Sequence, residues 1–223
     1  MRKSVMFLIL VLLLASTASA GGVFSSLFGK VLNGSGDLET VKIDVGSFSK
    51  VKSSGPFDIY VKVGPSQSVE LTIDDNLVDL VEFEVRGKTL KISTEGSFRT
   101  RKDVRIDITV PEITSLSLTG SGDIVVSGLK GEFFEFSLAG SGDMTAEGEV
   151  EVLEVSLSGS GDIDTRDLMA NEVEVELSGS GDIKVYARES FDGSVSGSGD
   201  IAFYGDPEQV DRRVSGSGSI KRR

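Results

Sequence analysis

Apolar and polar residues alternate one for one through most of this chain, the two-residue period of a strand with one buried face. In the C-terminal half a fixed tetrapeptide punctuates that alternation. Gly120-Ser121-Gly122-Asp123 recurs at 140–143, 159–162, 179–182 and 197–200, and Gly216-Ser217-Gly218-Ser219 closes the series with Ser in place of Asp. Successive fourth positions stand 20, 19, 20, 18 and 19 residues apart. Apolar columns flank each turn. Two places before the first Gly stand Leu118, Leu138, Leu157, Leu177, Val195 and Val214; directly after the fourth position stand Ile124, Met144, Ile163, Ile183, Ile201 and Ile220. Leu116, Phe136, Val155 and Val175 lie two places further back, with mostly Ser, Thr and Glu between.

Each repeat thus predicts a strand, a tight GSG turn, a second strand and a looser return such as Asp167-Leu168-Met169-Ala170-Asn171. A meander of hairpins would alternate in the same way, but nothing in it requires one turn chemistry at one period. Stacked rungs do require it, because equivalent residues of a parallel coil lie above one another about 4.8 Å apart. One rung cannot bury its own apolar face; a stack buries a continuous core. The expected fold is all-β: a parallel β-solenoid, or β-helix, of ~19-residue rungs with GSGD turns over 111–223.

The first half is β-rich without repeating. Ile59-Tyr60-Val61-Lys62-Val63, Val69-Glu70-Leu71-Thr72-Ile73 and Leu90-Lys91-Ile92 alternate, and Gly64-Pro65, Asp74-Asp75-Asn76 and Arg86-Gly87-Lys88 read as turns. Ser54-Gly55-Pro56-Phe57-Asp58-Ile59 looks like a degenerate copy of the GSGD-I turn. Two readings stay open for 41–110: irregular early rungs of the same solenoid, or a separate small sandwich. Residues 21–40, with Asn33-Gly34-Ser35-Gly36-Asp37, read as a linker or an imperfect first turn.

Residues 1–20 carry Arg2 and Lys3, an apolar run from Val5 to Leu14 and an Ala18-Ser19-Ala20 ending. That pattern is a secretory signal peptide, and its apolar run is about half of what a spanning helix needs. No later segment is apolar enough to cross a bilayer, and a cleavage region without cysteine offers no lipid attachment. The expected location is therefore exported: periplasmic, cell-envelope or extracellular. Cleavage after Ala20 leaves 21 basic against 35 acidic side chains, a formal charge of −14. So acidic a chain is a poor ligand for nucleic acid, whose binding rests on Lys and Arg at phosphates. The charge also keeps an exported protein dispersed. Neither cysteine nor histidine occurs, which excludes disulfides, thiol chemistry and the commonest general base and transition-metal ligand.

The GSGD aspartates form the most conspicuous candidate site: Asp123, Asp143, Asp162, Asp182 and Asp200. Stacked carboxylates about 5 Å apart repel by roughly 1 kcal/mol per neighbouring pair in water, so something must offset them. One candidate is calcium, a hard cation that takes oxygen ligands, although known Asp-rich rolls use nonapeptide repeats. The other, favoured here, is that each Asp accepts backbone N–H bonds within its own turn. Carboxylate-based glycan cleavage needs a cleft with long walls and aromatics, whereas the returns are short, Trp is absent and Tyr numbers three. GSG is no phosphate cradle, since no helix follows it. The cluster Arg99-Thr100-Arg101-Lys102-Asp103-Val104-Arg105 reads as a solvated loop and strand edge, with partner docking as its alternative. The basic Lys221-Arg222-Arg223 tail protects the edge of the last rung against end-to-end pairing.

A set of motifs, in order, carries a resemblance. Phe48-Ser49-Lys50-Val51 leads into Ser54-Gly55-Pro56-Phe57-Asp58-Ile59, then Val69-Glu70-Leu71, Asp74-Asp75-Asn76-Leu77 and Gly87-Lys88-Thr89-Leu90-Lys91-Ile92. Val110-Pro111, the GSGD-I repeats and Tyr204-Gly205-Asp206-Pro207 follow. Over roughly 45–220 the chain resembles the putative auto-transporter adhesin, head GIN domain family of exported bacterial proteins. The resemblance implies a right-handed parallel β-helix and a cell-envelope or extracellular location; it carries over no catalytic or binding residues. The expectation is a non-enzymatic adhesion, interaction or scaffold module with no catalytic, cofactor or metal site. Its working surface would be the Ser/Thr/Glu-lined face of Ser117, Ser137, Ser156, Glu176 and Ser196. A calcium- or glycan-binding module is the alternative, and a carbohydrate-active enzyme the third reading. The expected partner is an envelope or cell-surface protein or glycan, with homo-oligomers allowed.

Overall fold

The computed structural model describes residues 31–223. The expected signal peptide, 1–20, and the first part of the expected linker, 21–30, lie outside the described residues. The chain runs through β1 (Leu32–Asn33), β2 (Leu38–Lys42), β3 (Lys50–Gly55), β4 (Asp58–Val63), β5 (Ser68–Asp74), a 3-10 turn (Asp75–Leu80), β6 (Val81–Arg86) and β7 (Thr89–Thr94). It continues through β8 (Phe98–Arg99), β9 (Arg105–Val110), β10 (Ser115–Gly120), β11 (Ile124–Leu138), β12 (Met144–Gly159), β13 (Ile163–Gly179), β14 (Ile183–Gly197), β15 (Asp200–Tyr204), β16 (Gln209–Gly216) and β17 (Ser219–Arg222).

From β10 onward these strands stack as a parallel β-solenoid. Each rung has a strand before the GSGD corner and one after it, so the stack has a pre-turn face and a post-turn face. The predicted columns lie in register: Leu118, Leu138, Leu157, Leu177, Val195 and Val214 pair in succession, as do Ile124, Met144, Ile163, Ile183, Ile201 and Ile220. Most of these side chains are buried. The returns differ from expectation. Within β11 to β14 they are strand, though 205–208 between β15 and β16 is not: β13 runs unbroken across 167–171, with register shifts at Thr165/Met169 and Ala170/Glu172. Leu168 and Ala170 are fully buried there, so the chain bends while keeping its pairing and its core side chains.

Residues 41–110 contribute to the same sheet, out of chain order. β3 and β4 flank the Ser54–Phe57 corner, and they pair in parallel with β10 and β11. β7 and β9 pair in parallel with the outer edges of β3 and β4, making a further rung beyond them. Antiparallel strands continue outward, β6 on β7, β5 on β9 and β2 on β5. Part of the expected linker is thus the strand β2. The β3–β4 rung carries Ser53 beside Leu118 and Ile92, and the fully buried Phe57 where the GSGD corners have their second Gly. The Ser53 hydroxyl is buried without a hydrogen-bond partner.

At the other end, Phe191 stacks on Phe203 with ring centroids 4.2 Å apart. Gly193 leaves room for it, since a Cβ there would stand 2.5 Å from the Phe191 ring. β16 is exposed along its length, and Val214, predicted to face the core, is 50% exposed, because no further described rung covers it. Arg222 is tied down by Asp206 at 2.6 Å and by the Gly205 carbonyl at 2.9 Å.

Candidate interaction face

The corner column comes first, because it fixes the register of everything else. An added Cβ on Gly142, Gly161, Gly181 or Gly199 would overlap the carbonyl oxygen of the equivalent glycine one rung earlier. Only glycine permits backbones to stack that closely. The first glycine's carbonyl accepts the N–H of the next rung's Ser, as Ser141 to Gly120 at 3.0 Å and Ser180 to Gly159 at 2.9 Å.

The aspartates bond between rungs, which corrects the expectation of bonds within each turn. Asp143 N–H donates to Asp123 Oδ1 at 2.8 Å, Asp162 to Asp143 at 2.9 Å, Asp182 to Asp162 at 2.8 Å and Asp200 to Asp182 at 2.9 Å. Ser219 N–H closes the series on Asp200 at 2.7 Å, and Asp123 N–H begins it on Asp58 at 3.2 Å. The cause is the parallel stack. The Asp carbonyl is already taken by the Ile N–H of the preceding rung, as Ile124 to Asp143 at 2.9 Å. The side chain below then supplies the acceptor that the Asp N–H needs. Burial, with the charges of Asp123 and Asp103, raises the Asp58 carboxyl above its ordinary value despite the Asp123 N–H. At the far end the Ser219 hydroxyl, ahead of its N–H, holds Asp200 below it. Among the described residues no group of three or more Asp or Glu is placed to hold a metal ion.

The pre-turn face carries the second arrangement. One outward column reads Thr89, Lys50, Ser115, Glu135, Glu154, Glu174, Asp192 and Asp211 across successive strands. The next reads Lys91, Lys52, Ser117, Ser137, Ser156, Glu176, Ser194 and Arg213. Four of the five residues expected on this face share that second column. Ser196 does not: it stands one place before Gly197 and lies beside Ser178, while Ser194 takes the place beside Glu176. Asp192 is held by Arg213 at 2.6 Å. Among the described residues Glu135, Glu154, Glu174 and Glu176 have no ion-pair partner, nor have Lys50, Lys52 and Lys91. The glutamate column was visible one place before Phe136, Val155 and Val175. The lysines at its other end were not, because their strands join the stack out of chain order.

The basic cluster is not one patch. Arg105 lies on β9, paired with Asp107 at 2.6 Å and placed over the Tyr60 ring at 4.0 Å. Thr100 instead donates its hydroxyl to the buried Asp74 at 2.5 Å, where Gly36 N–H also donates at 2.6 Å. The Thr100 bond, opposed by burial and helped by Gly36, keeps the Asp74 carboxyl below its ordinary value. Arg99 and Arg101 stay exposed on the rim of a cleft with Asn33, Gly34 and Phe98.

A coil with one glycine corner per rung defines the protein's class: a single-corner parallel β-solenoid. The chain belongs to the family described as "Putative auto-transporter adhesin, head GIN domain", which matches residues 47–207. It is similar to a crystal structure from Bacteroides fragilis described as "a putative adhesin", 27% identical, covering 86% of this chain and 100% of that one with a TM-score of 0.73. A structure from Parabacteroides distasonis described as a "Putative lipid binding protein" is also 27% identical, covering 87% of this chain and 100% of that one, at a TM-score of 0.60. A Parabacteroides merdae structure described as "a putative adhesin" is 20% identical, covering 86% and 98% at a TM-score of 0.60, and shares the fold. No curated protein matches the chain. Among the described residues no helix is long and apolar enough to cross a membrane.

Proposed function

We propose that this protein is a non-enzymatic interaction module, an adhesin in the broad sense, exported to the cell envelope or surface and working through its pre-turn face. The observation that carries the reading is the in-register pair of outward columns. A rigid stack repeats one polar row at each rung, so carboxylates and hydroxyls form a continuous flat surface. Interfaces of that kind recognise an extended partner by complementary charge more than by a pocket. The family to which the chain belongs supports the reading.

Calcium binding at the corner is the weaker reading, since one oxygen of each ladder carboxylate already serves a backbone N–H. The test is capture from the cell-envelope fraction by the exported chain, comparing wild type with E154K/E174K/E176K and with a K62E control on the post-turn face. Loss of the captured partner in the first variant alone is expected. Equal capture by all three proteins, or loss only with chelator, would refute the reading.

A further inference from the structure

The pre-turn face carries a lysine cluster on β7 and β3, with Glu84 of β6 beside Lys91, and a glutamate cluster on β11 to β13, with the Asp192–Arg213 pair beyond it. Lys91, Lys52 and Lys50 stand exposed on β7 and β3. Glu154, Glu174 and Glu176 stand exposed on β12 and β13, with Glu135 half-buried on β11. Between the two clusters lie the half-buried Ser117 and Ser137, with Ser115 buried beside them. The two sets cannot neutralise each other within one molecule. Lys52 and Glu176 share a column but lie four strand spacings apart, about 19 Å.

We propose that the pre-turn face docks a second copy of this chain, antiparallel, about a two-fold axis passing between β10 and β11. The inference rests on this face being the working surface. That axis sets β10 over β11 of the second copy, β3 over its β12 and β7 over its β13. Lys50 and Lys52 then meet the second copy's Glu154, and Lys91 meets its Glu174 and Glu176. Ser117 meets its Ser137. Every contact repeats by symmetry, as an isologous interface demands, and no like charges are opposed. An axis one half-spacing further along, on β11, would set Glu135 against itself, so the charges select the register as well as the partner.

Size agrees with a reversible association. The six overlapping strands from β7 to β13, six residues wide at β3 and β10, span about 30 Å by 20 Å. Two copies then bury about 1,200 Å², the lower bound for specific interfaces. Serines at the centre permit close approach, and the charged ends set orientation. A polycationic partner would match the glutamates and leave the lysines unmatched, so the lysine end distinguishes the two.

Sedimentation equilibrium of the exported chain at about 50 mM and about 500 mM NaCl tests the proposal. A monomer–dimer equilibrium is expected whose dissociation constant rises at least about ten-fold at the higher salt. K50E/K52E/K91E and E154K/E174K/E176K should each weaken self-association at least about ten-fold, and their equimolar mixture should recover it. K62E should leave it unchanged. All substituted positions are exposed, and a melting curve for each variant establishes its fold. Wild type remaining monomeric to about 0.5 mM overturns the proposal. So does a mixture that fails to recover, or a dimer indifferent to the lysine reversal. If wild type is monomeric while E154K/E174K/E176K still abolishes capture from the envelope fraction, the self-docking fails and the working face stands. If neither responds, both fail.

Discussion

Asp162 sits in the middle of the corner ladder, with Asp143 before it and Asp182 after it, and one atom of its carboxylate has a definite task. Its Oδ1 accepts the Asp182 N–H at 2.8 Å. Two effects oppose each other there. Repulsion from two neighbours about 5 Å away costs about 0.8 kcal/mol each at water's dielectric constant, trimmed by salt to about 1 kcal/mol together. The hydrogen bond contributes about 1 kcal/mol in the other direction. Asp162→Asn keeps an acceptor and deletes the charge, so it should stabilise by about 1 kcal/mol, or 2–4 °C in melting temperature for a chain of this size. Asp162→Ala deletes both and should melt near wild type. The gap between the two variants isolates the hydrogen bond, and the gain of the Asn variant should vanish near 1 M salt. Differential scanning calorimetry reads all three numbers. If Asn and Ala melt together, the Asp182 N–H is satisfied elsewhere. If Asn melts below wild type, the charge itself is stabilising and the carboxylates serve a bound cation.

Gly161→Ala places a Cβ against the Gly142 carbonyl and should destabilise by about 3 kcal/mol or more, read as a drop in urea midpoint. Ser53→Ala removes a buried hydroxyl that has no partner and should stabilise by about 1 kcal/mol; a destabilised variant would mean that the hydroxyl is satisfied. Asp58 has a raised carboxyl, so its contribution is present below the ordinary value of 3.8 and lost as pH rises through the folded one. Asp58→Asn keeps an acceptor for the Asp123 N–H and should raise the melting temperature at pH 7 but not at pH 3. Asp74 has a lowered carboxyl, so its contribution is present above 3.8 and lost as pH falls through the folded value. Thr100→Val should therefore move the acid-unfolding midpoint to higher pH, and an unmoved midpoint would contradict the role given to that hydroxyl.

The solenoid was legible because its physics is periodic. A glycine corner that forbids Cβ atoms and an Ile that points inward at every rung write themselves into the sequence at one spacing. What escaped was pairing that chain order does not encode. β3 lies between β10 and β7, and β4 between β11 and β9, each separated from its neighbours by long stretches of chain, so Lys50 and Lys52 gave no sign of lying beside Ser115 and Ser117. Ser196 stands one place before its corner glycine and not three, so its column is that of Ser178, and the residue beside Glu176 is Ser194. The aspartates were found in the right place with the wrong donor, since a turn read alone shows its own N–H groups and not those of the rung above.

The claim that the pre-turn face is the working surface is tested most directly by lysine acylation footprinting of residues 21–223, diluted well below the self-association range, alone and saturated with envelope fraction. The account predicts protection of Lys50, Lys52 and Lys91, with Lys62, Lys184 and Lys221 on the post-turn face reacting as before. Protection of Lys62, Lys184 and Lys221 with Lys50, Lys52 and Lys91 left open would contradict it.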